Sequence, residues 1–135
     1  MKTKIKIICI TISMLSLLIT NHVFAECWVV SGLKGYGSNA AEKFGIHEDG
    51  LSGQKIKIII NGNKSSVTGS EGISFKEVTP QLIVGVYKSG GYKGTVESWG
   101  IDIENRKVFY TQTKSGYTIF DGAKMFIGDI EGKCK

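Results

Sequence analysis

Hydrophobic and polar residues alternate with a period of two along much of the chain, which is the pattern of half-buried β-strands. In the stretch KIKIII, isoleucines at Ile56, Ile58 and Ile60 share one face, and lysines occupy the alternate positions before them. Other alternating or β-branched runs predict further strands at residues 27–30, 73–78, 82–87, 95–104, 107–113, 117–120 and 125–130. These segments are short and regularly spaced.

Turn-forming residues separate the predicted strands. Asn61, Gly62 and Asn63 follow the isoleucine strand, and the glycine-rich loop 88–94 lies between two others. Glycine and asparagine tolerate the backbone angles of tight turns. The spacing therefore predicts an all-β fold, a small antiparallel sandwich or barrel of about seven or eight strands.

One short helix is a possible exception. Asn39 is a suitable N-cap, Glu42 stands three residues later as in a capping box, and Gly45 is placed to end the helix. The competing interpretation is an irregular loop over residues 33–53. The pattern leaves both open.

The first 25 residues have the layout of a secretory signal peptide. Lysines at positions 2, 4 and 6 give a positive start, residues 5–19 are mainly apolar, and Val23-Phe24-Ala25 provides a cleavage site after Ala25. A membrane anchor is the alternative, but a spanning helix needs about 20 apolar residues. We expect a signal peptide (1–25), one mature domain (26–135) without a membrane span, and export to the periplasm or beyond.

Removal of the predicted signal changes the charge of the working protein. The full chain has 17 basic and 12 acidic residues, and loss of the three leader lysines leaves 14 basic against 12 acidic, a net charge of +2. A domain this close to neutral has no electrostatic footprint for nucleic acid. We therefore expect no nucleic-acid partner.

Two cysteines remain in the predicted mature domain, Cys27 near its start and Cys134 near its end. An even pair in an exported protein predicts a disulfide, which requires the two termini to lie side by side. Two free thiols, or a bridge to a partner, are the alternatives. No C-x-x-C motif supports a redox role.

The residue types that carry catalysis or bind metals are sparse. His47, Glu48 and Asp49 are consecutive, so their side chains diverge, and we interpret them as a polar loop. Asp102 and Glu104 share one strand face, which in an antiparallel sheet is commonly the solvated one. We predict no catalytic residue, no metal and no cofactor.

The candidate binding surface is one loop, where two aromatics and two cations come together: Tyr87, Lys88, Tyr92 and Lys93. We expect a non-enzymatic binding or inhibitor-type module for a protein, glycan or small ligand of the cell envelope. Two alternatives remain: a small carboxylate-dependent hydrolase, and a structural subunit that assembles through strand edges.

Overall fold

The computed structural model describes residues 25–135, which form nine β-strands and three single-turn 3₁₀ helices. The strands are β1 (Glu26–Asn39), β2 (His47–Leu51), β3 (Ile56–Ile60), β4 (Ser66–Val67), β5 (Ser74–Thr79), β6 (Leu82–Lys88), β7 (Gly94–Asp102), β8 (Lys107–Ser115) and β9 (Gly122–Lys133). The predicted signal peptide lies outside the described residues, apart from Ala25.

The strands form a nearly closed antiparallel barrel of eight strands. Their order is β4-β3-β1-β9-β8-β7-β6-β5, and β2 pairs with β1 beyond the end of β3. The backbone N–H of Gly62, which follows β3, donates to Glu77 Oε2 on β5 at 2.8 Å and links the two ends of the sheet. The predicted all-β antiparallel fold is confirmed, and the structure selects the barrel over the sandwich.

Aromatic side chains fill the centre of the barrel. The ring centroids of Trp99 and Tyr110 are 4.4 Å apart, and those of Tyr110 and Phe126 are 5.5 Å apart. Tilted pairs at this spacing stabilise beyond the area that they bury. The aliphatic side chains buried with them are Val30, Leu33, Ile56, Ile58, Ile60, Val67, Ile83, Ile101, Val108 and Ile130.

The predicted disulfide is present and joins the first strand to the end of the last. The Cα atoms of Cys27 and Cys134 are 5.3 Å apart, although 107 positions separate the two residues in sequence. The backbone N–H of Cys134 also donates to the carbonyl oxygen of Cys27 at 3.0 Å. Because β1 and β9 pair along most of their lengths, the termini close the barrel.

Strand β1 is much longer than predicted, and the expected loop or helix over residues 33–53 is mostly strand. The alternation fails there because Gly32 has a positive φ and the register between β1 and β9 shifts between Ser31 and Lys34. Farther along, a Cβ at Gly35 would run into the carbonyl oxygen of Met125. Close backbone approach, rather than a turn, explains this glycine.

The predicted cap at Asn39 is present, but the helix is only one 3₁₀ turn, Ala40–Glu42. Asn39 Oδ1 accepts from the Glu42 N–H at 3.0 Å, and Asn39 Nδ2 donates to Glu42 Oε2 at 3.1 Å. Lys43 then adopts a left-handed conformation, so the turn ends two residues before Gly45. No helical segment within residues 25–135 has the length and apolar character needed to cross a membrane.

Two further strand predictions were wrong in detail. Residues 117–120 form a turn with a 3₁₀ segment at Thr118–Phe120, because Gly116 and Thr118 both have positive φ and turn the chain away from β8. Strand β7 ends at Asp102, whose carboxylate accepts hydrogen bonds from the backbone and side chain of Asn105. Ile103 consequently lies in a turn and is nearly half exposed, instead of facing the core with Trp99.

Candidate functional site

The inward-facing side chains of the barrel change from apolar to polar along three neighbouring strands. The inward series are Ile101, Trp99, Glu97 and Thr95 on β7, Val108, Tyr110, Gln112 and Lys114 on β8, and Ile130, Phe126 and Lys124 on β9. The polar half faces the end of the barrel that carries loops 40–46, 68–73, 89–93 and 116–121. We call this the open end; the disulfide lies toward the opposite end.

A buried carboxylate marks the boundary between the two halves. Glu97 is only 3% exposed. Its Oε1 accepts from Gln112 Nε2 at 2.7 Å and from the Tyr110 hydroxyl at 3.2 Å. Its Oε2 accepts from Ser70 Oγ at 3.0 Å and from Trp99 Nε1 at 3.3 Å. Each carboxylate oxygen of Glu97 thus accepts two hydrogen bonds. These four hydrogen bonds offset the free-energy cost of burying the carboxylate.

The burial of Tyr110 beside Glu97 determines the protonation state of the Tyr110 phenol. Burial raises the pKa of Tyr110 far above its ordinary value, and the negative charge of Glu97 beside it acts in the same direction. The phenol therefore stays protonated as a hydrogen-bond donor throughout the physiological range. This fixed donor helps to hold the Glu97 side chain between the apolar core and the open end.

Three cavities lie at the open end. The largest has a volume of about 530 Å³, and we call it the main cleft; its walls include Ile73, Tyr87, Tyr117 and Phe120. The other two measure about 250 and 240 Å³. Gln112 and Lys114 line all three, so they stand at the centre of the accessible space.

Exposed apolar side chains lie on the loops of the open end. We call them the apolar rim: Phe44, Ile46, Tyr92, Ile119 and Phe120, all more than half exposed. The loops that carry them are contiguous, since the N–H of Ala40 donates to the Asp121 carbonyl at 2.9 Å. A Cβ added at Gly116 would likewise meet the Tyr92 carbonyl oxygen at 2.5 Å. Three loops that are distant in sequence thus form one surface.

The binding surface predicted from the sequence lies at this end. Tyr87 and Lys88 end strand β6, and Tyr92 and Lys93 belong to the hairpin tip, where the Ser89 N–H donates to the Lys93 carbonyl at 3.1 Å. Tyr87 lines the main cleft, whereas Tyr92 is 99% exposed on the rim. Their role in binding stays a prediction.

The sequence neighbours His47, Glu48 and Asp49 turn to different partners. His47 Nδ1 lies 2.6 Å from Glu42 Oε2, across the loop that joins β1 to β2. Lys124 Nζ donates to Asp49 Oδ2 at 2.6 Å, and this hydrogen bond from the ammonium holds the pKa of Asp49 below its ordinary value. Among residues 25–135, no three His, Cys, Asp or Glu side chains are grouped to hold a metal ion.

The other acidic pair considered, Asp102 and Glu104, lies at the end of the barrel away from the cavities. Hydrogen bonds from Asn105 hold the pKa of Asp102 below its ordinary value, and Glu104 is exposed in the same turn. The pair therefore belongs to a tight turn and does not face the cavities.

Glu97 is the residue that the sequence interpretation missed. Glu97, Trp99 and Ile101 are alternate residues of one strand, so their side chains point to the same face. The alternation therefore already places Glu97 among the inward-facing positions. An acid in phase with core residues is unusual because an unpaired charge is costly to bury. That phase relationship is the signal that would have found it.

Comparison with known proteins gives no relative from which a function could be transferred. No family model, no curated protein and no solved structure matches this chain. The function is therefore argued from the geometry of the open end alone.

Proposed function

We propose that this protein is an exported, non-enzymatic binding module of the inhibitor or capture type, which docks on a partner protein through its open end. The observation that carries the proposal is the apolar rim. The four most exposed large apolar side chains of residues 25–135, those of Tyr92, Ile46, Phe120 and Phe44, all lie on loops of this one end. Clustered exposed apolar side chains mark interaction sites, whereas isolated ones need no explanation.

The residue types of the rim suit a protein partner. Aromatic side chains are common energetic anchors of protein interfaces, where each fills a pocket on the partner. Phenyl and aliphatic groups have no donor or acceptor for the hydroxyls of a glycan. An apolar protein surface is therefore the better match for Phe44, Ile46, Ile119 and Phe120.

The scaffold below the rim favours tight docking. Loop 68–73 is attached to the barrel through Ser70 and Glu97, and loop 116–121 is fixed by the hydrogen bond from the Tyr117 N–H to Asp121 Oδ1 at 2.6 Å. Loops that are already held in place lose less conformational entropy when a partner binds. The open end thus combines exposed anchors with a restrained backbone.

A carboxylate-dependent hydrolase has weaker support. Both oxygens of Glu97 already accept two hydrogen bonds each, which leaves no lone pair for a substrate or a catalytic water. Asp102 is likewise engaged by Asn105. Strand-edge assembly also has weak support, because one end of the sheet is the two-residue strand β4 and the other, β5, is linked to Gly62.

The test is capture from a cell-envelope extract by three forms of the immobilised protein. The rim variant carries Phe44→Ser and Tyr92→Ser, at two rim residues that do not line the main cleft. The matched control carries Phe109→Ser and Ile127→Ser, which remove two exposed apolar residues that face each other on the outer wall of β8 and β9.

The proposal expects the wild type and the wall variant to retain the same protein, and the rim variant to lose it. Equal retention by all three forms would contradict the use of the rim. Retention of glycan without protein would instead show that the partner class is wrong.

A further inference from the structure

We infer that the main cleft is a binding site for a small amphiphilic anion, whose charged group is held by Lys114 and whose apolar body packs on the aromatic walls. The inference deepens the proposed function, because it assigns a ligand class to a cleft at the open end. It rests on the position of Lys114, the engagement of the surrounding acids, and the composition of the walls.

Among residues 25–135, Lys114 is the only cation in the lining of the main cleft. It is half-buried, extends inward from β8, and lines the main cleft and both smaller cavities. Within the part of the chain described, none of the ion pairs involves Lys114. Lys124, the other inward-facing lysine here, is by contrast paired with Asp49.

The acids around the cavities have other partners. Glu97 accepts four hydrogen bonds, and Glu71 accepts from the Gly69 N–H at 2.8 Å. Glu42 pairs with His47, and Asp121 accepts from the Tyr117 N–H. Hydrogen bonds from neutral donors leave Glu71 and Glu97 charged, but neither forms an ion pair with Lys114, whose ammonium therefore has no carboxylate partner among the described residues. A charge in a partly enclosed cleft attracts its counter-ion more strongly than one on an open surface.

The side chains that line the main cleft indicate that the rest of the ligand is apolar. Tyr87, Tyr117 and Phe120 provide aromatic surface, and Ile73 adds an aliphatic patch. The volume of about 530 Å³ falls within the range of small-molecule pockets. A free inorganic anion would leave these walls uncovered, and a neutral apolar molecule would leave Lys114 unpaired. A carboxylate, sulfonate or phosphate on an aromatic or aliphatic body satisfies both.

A pair of fluorescent probes separates the two parts of the ligand. 1-Anilinonaphthalene-8-sulfonate is an amphiphilic anion, and N-phenyl-1-naphthylamine has the same aromatic body without the charge. Each is titrated into the wild type and into Lys114→Met, Lys114→Arg and Lys76→Met. Lys76 is an exposed lysine of β5 that lines none of the three cavities, and it serves as the matched control.

The inference expects saturable binding of the sulfonate to one site in the wild type, weakened about tenfold in Lys114→Met. Lys114→Arg and Lys76→Met should stay within about threefold of the wild type, because the first keeps the charge and the second leaves the cleft intact. The neutral probe should bind the wild type and Lys114→Met equally. Urea unfolding of each variant checks that the barrel is intact.

Three results would overturn the inference: no saturable sulfonate binding to the wild type, unchanged sulfonate affinity in folded Lys114→Met, or equal loss of both probes in that variant. None of them bears on docking by the apolar rim, since the capture experiment uses variants that keep Lys114. The failure of this inference and the failure of the proposed function are therefore distinguishable.

Discussion

Gln112 Nε2 donates a 2.7 Å hydrogen bond to Glu97 Oε1, directly across the pair of strands β7 and β8. This contact joins two regions with different physical roles. Below it, Trp99 and Tyr110 belong to the packed core and also donate to the same carboxylate. Above it, Gln112 lines all three cavities. The Glu97 network therefore forms the floor of the candidate binding site.

Glu97→Leu should lower the free energy of unfolding by about 3 kcal/mol, because it leaves the buried donors of Trp99 and Tyr110 without an acceptor. Urea unfolding measures the change. Glu104→Leu, the same substitution at an exposed turn, should stay within about 0.5 kcal/mol of the wild type. Equal effects of the two variants would mean that the network does not stabilise the barrel.

Loss of the disulfide should also destabilise the protein. Cys27→Ser/Cys134→Ser removes a link between residues 107 positions apart, so we expect a loss of about 5 kcal/mol from the chain-entropy contribution. Urea unfolding of the oxidised wild type, the reduced wild type and the double variant tests this. The last two should agree with each other. A reduced wild type as stable as the oxidised protein would refute the prediction.

Two glycines in strands provide a matched test of close backbone packing. Gly35→Ala should cost about 3 kcal/mol, because its Cβ would run into the Met125 carbonyl where β1 meets β9. Gly132→Ala, in β9, should have little effect, since no heavy atom lies within 4 Å of the added Cβ. The difference in thermal midpoint between the two variants is the readout. Similar midpoints would contradict the close approach of β1 and β9 at Gly35.

Stability should depend on pH through Asp49 and Lys124. The bonded ammonium lowers the pKa of Asp49 in the folded protein, so the pair stabilises at neutral pH and this contribution disappears as the pH falls below about 4. Asp49→Asn should therefore lower the free energy of unfolding at pH 7, by no more than about 1 kcal/mol for this partly exposed pair.

At pH 3 the wild type and Asp49→Asn should differ less than they do at pH 7. Glu48→Gln, at the exposed position next to Asp49, is the control and should show no such change. A difference between the wild type and Asp49→Asn that is the same at both pH values would argue against the ion pair.

The alternating pattern was enough to predict the fold class, because the side chains of an antiparallel barrel repeat every two residues. It failed where backbone contacts replace side-chain alternation. Gly35 sits in β1 because the Met125 backbone approaches closely, which no local pattern reveals. Thr118 and Phe120 have strand-like propensities, yet the positive φ at Gly116 directs that segment into a turn.

The candidate site was only partly predictable for a related reason. The tyrosines and lysines of residues 87–93 share one hairpin, so sequence proximity brought them together. Phe44 and Phe120 join the same rim through contacts between loops that are far apart in sequence. Glu97 was detectable by its phase with Trp99, but its four donors come from three separate segments.

Hydroxyl-radical footprinting is the most direct test that the open end is the docking face. The protein is oxidised alone and in the complex formed in envelope extract, and mass spectrometry reads the modification of its own exposed side chains. We predict that Phe44, Tyr92 and Phe120 become protected in the complex, while Phe109 and Ile127 on the outer wall are oxidised as before. Protection of Phe109 and Ile127, with Tyr92 unchanged, would contradict the account.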